Sequence, residues 1–408
     1  MVESGQWTRH GPRVPEVVAE DFAADPYTAL TSLPPGTPIA RSARGLEVLT
    51  YRACQEVFQT TALTPCMPEL LSALGCTDQG VLRFVAEELF SKEDAEHLRL
   101  RSAVAGFFTP GRMRRWRTTM AEIATEIVDS VPADGRCDAM RDIAQPAVAR
   151  FSCRLLGAPD SDADLVYRLS ADFGELLGGE NVWKYPDFRD TIEDYLRDLL
   201  RQRRSEPRDD ALSFILRGEH EGNHSEADSL RVALTILGAG SQMVAAQAAL
   251  LINALVEHPD QWDLVRQQPD LVPAAVLECT RLRPTVFATE RIARDDVEIR
   301  GVPIRRGQFL FVHILVANRD PTVFQDPLRL DVRRTFATPP LTWSVGRHFC
   351  VGRALSLLAL EEILRAIRSR WVSLRSTARP TVGGLPFAVR PERMPIVVER
   401  RPARARGE

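Results

Sequence analysis

The longest helical pattern in the sequence runs from Glu226 to Glu257 and stops at the helix-terminating segment "HPD". Its most apolar section, Ala245–Val256, is shorter than the roughly 18–20 residues that span a bilayer, and it contains Gln247 and Asn253. The N-terminal stretch "MVESGQWTRHGPRVPEVVAEDF" has no apolar signal core. We therefore predict a long helix within a cytoplasmic protein that does not span a membrane.

The composition is that of an ordinary globular chain with material for a large core. The 408 residues are 44% hydrophobic and 26% charged, and no long Gly/Ser- or Pro-rich linker divides them. We predict one domain over residues 1–408. The formal net charge of −3 favours neither nucleic acid nor a membrane as partner, and we interpret the basic run Arg112–Arg117 as solvated surface charge.

Helical periodicity dominates the middle of the chain, and β patterns lie near both ends. A strand is predicted at Leu46–Thr50, and a helix at Pro269–Arg281 stops before Pro284. A charged connection holds a short predicted helix around Leu212–Leu216, and the segment "LPFAVRPERMPIVVER" predicts two short strands. The fold class expected from this pattern is mainly α with small β-sheets (α+β).

The seven cysteines, at positions 54, 66, 76, 137, 153, 279 and 350, have neither disulfide nor zinc spacing. We interpret six of them as small buried or half-buried apolar residues. Cys350 differs, because Gly346 and Gly352 bracket it and a helix begins near Gly352, whose unpaired N–H groups lower a thiol pKa. Local chemistry alone leaves open whether Cys350 is a core residue, a nucleophile or a ligand.

Cys350 belongs to a set of motifs spread over the chain. These are the loop "WSVGRHFCVG" with Gly346, His348, Cys350 and Gly352, the ExxR "ECTR" with Glu278 and Arg281, the HxxxR "HLRLR" with His97 and Arg101, and "ATERIA" with Arg291. The segments "ANRDP" and "FQDPLRLDVRR" precede the loop. In this order and at this spacing they resemble the cytochrome P450 family, most closely its soluble bacterial members.

The resemblance implies a b-type haem with Cys350 as its axial thiolate. It implies that the haem propionates bind four side chains of this sequence, namely His97, Arg101, Arg291 and His348. It also implies that Glu278 and Arg281 form a buried salt bridge tied to the loop that leads to the cysteine. The implied fold is a single-domain helical triangular prism, with haem between the long helix at Gly240 and the Cys350–Gly352 loop.

A distal pocket is expected on the face of the long helix whose positions recur at spacings of three and four. The expected lining comes from this face, from the segment after the ExxR helix and from a turn near the C-terminus: Ile236, Ala239, Gly240, Met243, Val286, Phe287, Ala288, Arg393 and Met394. We expect Thr64–Phe84 to form its lid. Few charges are predicted inside, so the substrate is expected to be a small, largely apolar molecule.

Four positions depart from the family pattern. Trp343 replaces the usual Phe and Ser344 the usual first glycine of the loop; we expect Trp343 to stack near the haem, and either change to alter its reduction potential. On the long helix the family has A-G-x-acid-Thr, whose acid and hydroxyl relay protons. This chain reads "AGSQM", in which Gln242 delivers no net proton and Met243 donates none.

The missing relay leaves two enzymatic interpretations. In the first, the protein is a tailoring monooxygenase of secondary metabolism, and the substrate, or water held by it, completes proton delivery beside Gly240, Gln242 and Met243. In the second, it performs haem-thiolate chemistry that needs no such relay: peroxide-driven oxidation, oxidative coupling or cyclisation, rearrangement, or group transfer. A haem-binding protein without catalysis is a third possibility.

Oxygen-dependent chemistry implies an electron donor, for which the resemblance suggests a ferredoxin with its reductase. Arg99, Arg347, Arg353 and part of the Arg112–Arg117 run are expected to make a basic docking face for such an acidic partner.

Overall fold

The computed structural model describes residues 14–18, 26–178, 188–385 and 387–401. Its α-helices are α1 (Pro26–Thr31), α2 (Tyr51–Gln59), α3 (Met67–Ala73), α4 (Gln79–Ala86), α5 (Asp94–Ala105), α6 (Pro110–Asp129), α7 (Gln145–Leu156), α8 (Ala163–Leu177), α9 (Phe188–Ser205), α10 (Ala211–His220), α11 (Glu226–Glu257), α12 (Pro259–Gln267), α13 (Val272–Leu282), α14 (Ile314–Ala317) and α15 (Arg353–Arg370). Short 3₁₀ turns lie at Leu89–Ser91, Asp160–Asp162, Pro269–Leu271 and Leu341–Trp343, and a π-helical turn at Ala139–Ala144 precedes α7.

The strands are β1 (Ile39–Ser42), β2 (Gly45–Val48), β3 (Leu63–Thr64), β4 (Arg136–Asp138), β5 (Thr289–Ala293), β6 (Val297–Ile299), β7 (Val302–Ile304), β8 (Phe309–Val312), β9 (Trp371–Ser376), β10 (Thr381–Leu385), β11 (Ala388–Arg393) and β12 (Pro395–Arg400). Helices thus dominate and the sheets are small, which confirms the predicted fold class.

Residue contacts divide the chain into two compact units. Unit 1 falls within Met1–Cys66, Phe287–Pro327 and Leu341–Phe349, and unit 2 within Met67–Val286, Leu328–Pro340 and Cys350–Glu408. Whether residues 1–408 behave as one domain therefore stays a prediction.

Unit 1 is built on a five-stranded sheet of order β1-β2-β8-β5-β3. β2 and β8 run parallel, whereas the other neighbours are antiparallel. Glu47 on β2 is buried beside His313, with Oε2 and Nε2 2.6 Å apart. Although burial raises its pKa, hydrogen bonds from His313 and Arg44 hold the pKa of Glu47 at about 2. An ionised carboxylate on β2 thus bonds to the histidine that directly follows β8.

Unit 2 is organised around α11. This helix packs against α5, α7, α8, α9, α10, α13 and α15, so most of its circumference is buried. Two small sheets complete the unit: β4-β12-β9 and the hairpin β10-β11.

Local signals define both ends of α11. Ser225 and Asp228 form a capping box, in which each side chain accepts the other's backbone N–H at 3.2 and 3.0 Å. The helix ends before Pro259, which opens α12. The predicted bounds of Glu226 to Glu257 agree with the structure, because these end signals are encoded within a few residues of each terminus.

Within the described residues, α11 is the one helix long and apolar enough to cross a membrane by length and composition, with a mean hydropathy of 1.5 over 18 residues. This differs from the expectation that no segment would qualify. Since 67% of that window is buried inside the protein, packing accounts for its apolar character.

Candidate active site

The segment before Cys350 contains two residues in the left-handed backbone region. Ser344 has φ +58° and Gly346 φ +75°, after the 3₁₀ turn at Leu341–Trp343. A Cβ on Gly346 would lie 2.3 Å from the carbonyl oxygen of Phe58, so only glycine fits there. Ser344 adopts a conformation that costs a non-glycine residue about 1–2 kcal/mol.

Cys350 is exposed, yet protein surrounds its sulfur closely enough that desolvation has the largest effect on the thiol. Burial raises the pKa of Cys350, while the backbone N–H groups of Gly352 and Arg353 and the charges of Arg101 and Arg353 lower it. The sulfur therefore meets two amide donors at the start of α15 and cations on two elements, which is the environment of a thiolate ligand.

Cys350 stands apart from the six other cysteines in its exposure. Cys137 is half-buried and the other five are buried, and burial raises the pKa of Cys137, Cys153 and Cys279 to about 12. Among the described residues no group of three or more His, Cys, Asp or Glu side chains is placed to hold a metal ion.

His97 and Arg101 lie one turn apart on α5. His97 is buried and Arg101 half-buried. Burial lowers the pKa of Arg101 and the negative charge of Cys350 raises it, which indicates that the guanidinium and the sulfur lie in the same region of unit 2. The HxxxR motif and the cysteine are thus brought together although about 250 residues of chain separate them.

Glu278 and Arg281 form a fully buried, bidentate ion pair on α13. Arg281 donates from Nε to Glu278 Oε2 at 2.7 Å and from Nη2 to Oε1 at 2.8 Å, and both side chains are 0% exposed. Arg334 Nε donates to the same carboxylate at 3.0 Å, as does the Asp331 N–H at 3.1 Å. Glu278 thereby anchors the segment around Asp331. The ExxR motif did not identify Arg334 as a third member.

Arg291, Trp343 and His348 belong to unit 1. Arg291 is buried; its Nη1 donates to the Glu290 carbonyl at 2.6 Å, and its guanidinium carbon lies 5.3 Å from the ring centre of Phe58. Trp343 and His348 are half-buried.

In the middle of α11, between Leu234 and Ala245, the accessible residues lie in a stripe on one side of the helix. Ile236, Ala239, Gly240 and Met243 retain accessible surface, whereas most of their neighbours are buried. Their spacing of three and four places them on one face. A Cβ on Gly240 would meet no atom within 4 Å, so open space adjoins the helix at this residue.

Gln242 lies away from this stripe. Its side chain is buried, and a Cβ on Gly174 of α8 would lie 2.3 Å from its Oε1 atom, so the amide faces α8. Oε1 has no hydrogen-bond partner among the described residues, and neither does Oγ of buried Ser241. The two positions that replace the relay therefore differ: Met243 is on the accessible face and Gln242 is not.

The remaining residues expected in the pocket differ in how much of their surface is accessible. Val286 bridges to Ala388 and Phe287 is half-buried, but Ala288 and Met394 have almost no accessible surface. Arg393 is exposed, with Nε 3.9 Å from Asp138. Ala288 and Met394 therefore contribute almost no accessible surface and can affect the shape of a pocket only through the residues that cover them. The pocket assignment stays a prediction.

Ser170 of α8 is a residue at this site that sequence reasoning missed. Its hydroxyl bonds the backbone of α11 at Gly238 and Gln242, 68 and 72 residues away. No motif or periodic pattern marks a contact over that separation.

Sequence and structure comparisons agree. The sequence model described as Cytochrome P450 matches residues 117–371. Luteothin monooxygenase of Streptomyces thioluteus is 33% identical over 337 residues, 81% of this chain and 83% of that protein. 6-Deoxyerythronolide B hydroxylase of Saccharopolyspora erythraea is 32% identical over 298 residues, 72% of this chain and 73% of that protein. The crystal structure of CalO2 superposes with a TM-score of 0.84 at 27% identity, covering 93% of this chain and 97% of that one.

Proposed function

Because the chain belongs to the cytochrome P450 family, we propose that it is a tailoring monooxygenase of secondary metabolism whose substrate, or water held by the substrate, takes part in proton delivery. As a family member it is a haem-thiolate oxidoreductase that acts on a small molecule, with Cys350 as the axial thiolate. The names of the relatives, a luteothin monooxygenase and a 6-deoxyerythronolide B hydroxylase, support a tailoring role.

The residues around Cys350 fit a haem. The amide donors of Gly352 and Arg353 face the sulfur that would be anionic on iron, and Arg101 adds positive charge nearby. When bound, thiolate-ligated haem supplies oxidation chemistry, because the sulfur pushes electron density onto the iron and favours O–O cleavage.

We further propose that His97 and Arg101 bind the haem propionates, since they share one face of α5 and Arg101 lies in the region of the sulfur. Arg291 and His348 are included on the family resemblance alone. Replacing Arg101 with Ala and measuring haem retention tests the assignment; full retention would contradict it.

The proposal for proton delivery depends on α11. Met243 lies on the accessible stripe and cannot donate a proton, and the amide of Gln242 faces Gly174 of α8. Ala239, Gly240 and Met243 therefore offer no side-chain acid or hydroxyl. Open space adjoins Gly240, where a substrate hydroxyl or an ordered water is able to lie.

The same absence also supports the second interpretation, chemistry that needs no relay. Its candidates remain peroxide-driven oxidation, oxidative coupling or cyclisation, rearrangement and group transfer. Heavy-isotope dioxygen separates the two, once a substrate has been found by its shift of the haem Soret band. Stoichiometric label in the product supports monooxygenation, whereas full turnover without label, with exchange into water excluded, supports the relay-independent reaction.

A pair of substitutions at position 243 tests whether proton delivery limits the reaction. Met243→Thr places a hydroxyl on the accessible stripe, and Met243→Val has the same shape without it. If proton delivery limits the reaction, the Thr variant should form on the order of 10-fold more product per electron than the Val variant. Equal yields from the two variants would contradict a proton-limited reaction.

We propose a ferredoxin-type electron donor on the family resemblance, but the basic face expected for it is largely paired within the protein. Arg99 pairs with Asp228, Arg112 and Arg115 lie 3.6 and 3.3 Å from Asp209, and Arg117 pairs with Glu361 and Glu362. Arg347 and Arg353 are half-buried. A ferredoxin-supported rate that does not fall with rising ionic strength would contradict electrostatic docking.

A cytoplasmic location is proposed as well, since the one helix of the described chain that could cross a membrane is mostly buried. Recovery of the native protein in the membrane fraction of its host would contradict it.

A further inference from the structure

The hydroxyl of Ser170 is bonded to both backbone groups of one turn of α11. It donates to the carbonyl oxygen of Gly238 at 2.8 Å and accepts from the N–H of Gln242 at 3.0 Å. These residues are four apart, so their C=O and N–H are the pair that closes one turn of an α-helix. Side chains inserted at such a pair are a known cause of local helix distortion.

The two helices also meet through a pair of glycines. A Cβ on Gly238 would lie 2.6 Å from the ring of Phe173, and a Cβ on Gly174 would lie 2.3 Å from Oε1 of Gln242. Ser170, Phe173 and Gly174 are at i, i+3 and i+4, and so share the face of α8 that meets α11. The hydroxyl is therefore held at the turn by close packing on both sides.

The turn that Ser170 holds carries the open part of the site. Ala239 and Gly240 lie between its two bonded residues, and Met243 follows directly. We propose that Ser170 is a positioning residue for the oxidation: it fixes the turn of α11 that presents Ala239 and Gly240 to the substrate. The inference rests on the proposed function for its catalytic consequence.

Ser170 is not suited to donating the missing proton. It is 0% exposed, its own proton is directed to the Gly238 carbonyl, and a backbone N–H occupies its acceptor side. Ser170 therefore contributes to the geometry of the turn. Its loss should lower the product formed per electron more than it changes the substrate dissociation constant.

The contacts of Phe173 extend this link to the predicted lid. Its ring centre lies 6.2 Å from that of Phe84 on α4 and 6.1 Å from that of Phe90 in the next 3₁₀ turn, both edge-to-face. If a displacement of the lid segment moves α8, the hydrogen bonds of Ser170 would thus transmit this movement to α11.

Ser170→Ala removes the hydroxyl, and Ser170→Thr restores one at the same position. Ser229→Ala is the matched control: it removes a buried serine that lies on α11 itself, nine residues before Gly238, and is bonded to Glu219 at 2.6 Å. If Ser170→Ala does not fold, Ser170→Cys keeps the side-chain shape with a weak donor and takes its place.

The first measurement is backbone hydrogen exchange in the haem-loaded, substrate-free protein, which does not depend on activity. Loss of the hydrogen bond that Ser170 accepts from the N–H of Gln242, worth about 1 kcal/mol, should speed exchange about five-fold in the peptide covering 238–243. Ser170→Thr should restore the slow rate, and Ser229→Ala should leave this peptide unchanged.

The second measurement is product formed per electron, with the substrate dissociation constant from Soret titration. We expect Ser170→Ala to lower the yield about five-fold with the dissociation constant within two-fold of wild type, and Ser170→Thr to recover the yield. Unchanged exchange and yield in Ser170→Ala, or the same losses in Ser229→Ala, would overturn the proposal. If wild type incorporates no labelled oxygen, the proposed function fails, while the exchange result still decides whether Ser170 holds the turn.

Discussion

Ser344 occupies the loop position at which the family usually has a glycine. The difference affects the conformational energy of the backbone. The sequence predicted an effect on reduction potential from the missing glycine. The structure adds a φ of +58°, a region that glycine enters without steric cost. The side chain offers little compensation, since its Oγ donates a long hydrogen bond of 3.3 Å to the adjacent Val345 carbonyl.

We predict that Ser344→Gly raises the stability of the haem-loaded protein by about 1 kcal/mol, because it relieves a left-handed conformation. The thermal unfolding midpoint provides the measurement. Ser356→Gly, in the first turn of α15, is the control and should lower the midpoint, because glycine weakens a helix by up to about 1 kcal/mol. An unchanged or lower midpoint for Ser344→Gly would mean that the loop stores no strain there.

Glu88 links three elements of unit 2 through a buried carboxyl. It follows α4, accepts from Thr235 of α11 at 3.2 Å, and lies 3.6 Å from Nη1 of Arg231. Arg231 also pairs with Glu87 and with Glu193 of α9, so three acidic side chains surround one cation. Burial raises the pKa of Glu88 to about 8, although Arg231 and Thr235 act to lower it.

This pKa predicts that stability falls as pH rises between about 4.5 and 8. In that window folded Glu88 keeps a proton that the unfolded chain, with an ordinary pKa of 4.5, has released. The contribution of Glu88 to the free energy of unfolding is fully present below pH 4.5. It declines by up to about 1.4 kcal/mol per pH unit as the pH rises towards about 8.

Thermal midpoints at pH 6 and 8.5 measure the effect of Glu88. Glu88→Gln should remove most of the decline seen in wild type, whereas Glu87→Gln, at the exposed neighbour, should leave it in place. Equal declines in Glu88→Gln and wild type would show that Glu88 is ionised throughout this range.

At the scale of the whole molecule, the carboxylate of Glu278 neutralises the charge of two buried or nearly buried arginines. We predict that Glu278→Ala destabilises the protein by about 3–5 kcal/mol, because Arg281 and Arg334 lose their shared carboxylate, and that haem incorporation is lost with it. Glu126→Ala removes an exposed partner of Arg150 and should cost no more than about 1 kcal/mol. Full haem loading with an unchanged midpoint in Glu278→Ala would contradict this role.

Elements with local signals were predictable from the sequence, and those set by packing were less so. The ends of α11 agree with the prediction because a capping box and a proline define them. The helix predicted at Pro269–Arg281 is regular only as Val272–Leu282, since its first residues form a 3₁₀ turn. The short helix expected around Leu212–Leu216 extends over Ala211–His220, starting at the cap of Asp210.

The chemistry of the site was predictable where it resides in motifs and not where it depends on tertiary contacts. Cys350, Glu278 and Arg281 follow from spaced residues along the chain. Ser170 and Glu88 act through partners more than 60 residues away, and no local pattern encodes such separations. The side chain of Gln242 likewise faces α8 because Gly174 leaves room for it, and the sequence alone does not show that these two residues meet.

The two faces of α11 differ in how freely evolution can alter them. Gly238 and Gln242 are held against α8, where an added side chain at 238 would collide with Phe173. One residue along the chain, Ala239 is exposed, and a Cβ added to Gly240 would meet no protein atom within 4 Å. If Ala239 and Gly240 contact the substrate as proposed, substitutions at these two positions are expected to alter substrate choice with less loss of stability than a substitution at Gly238.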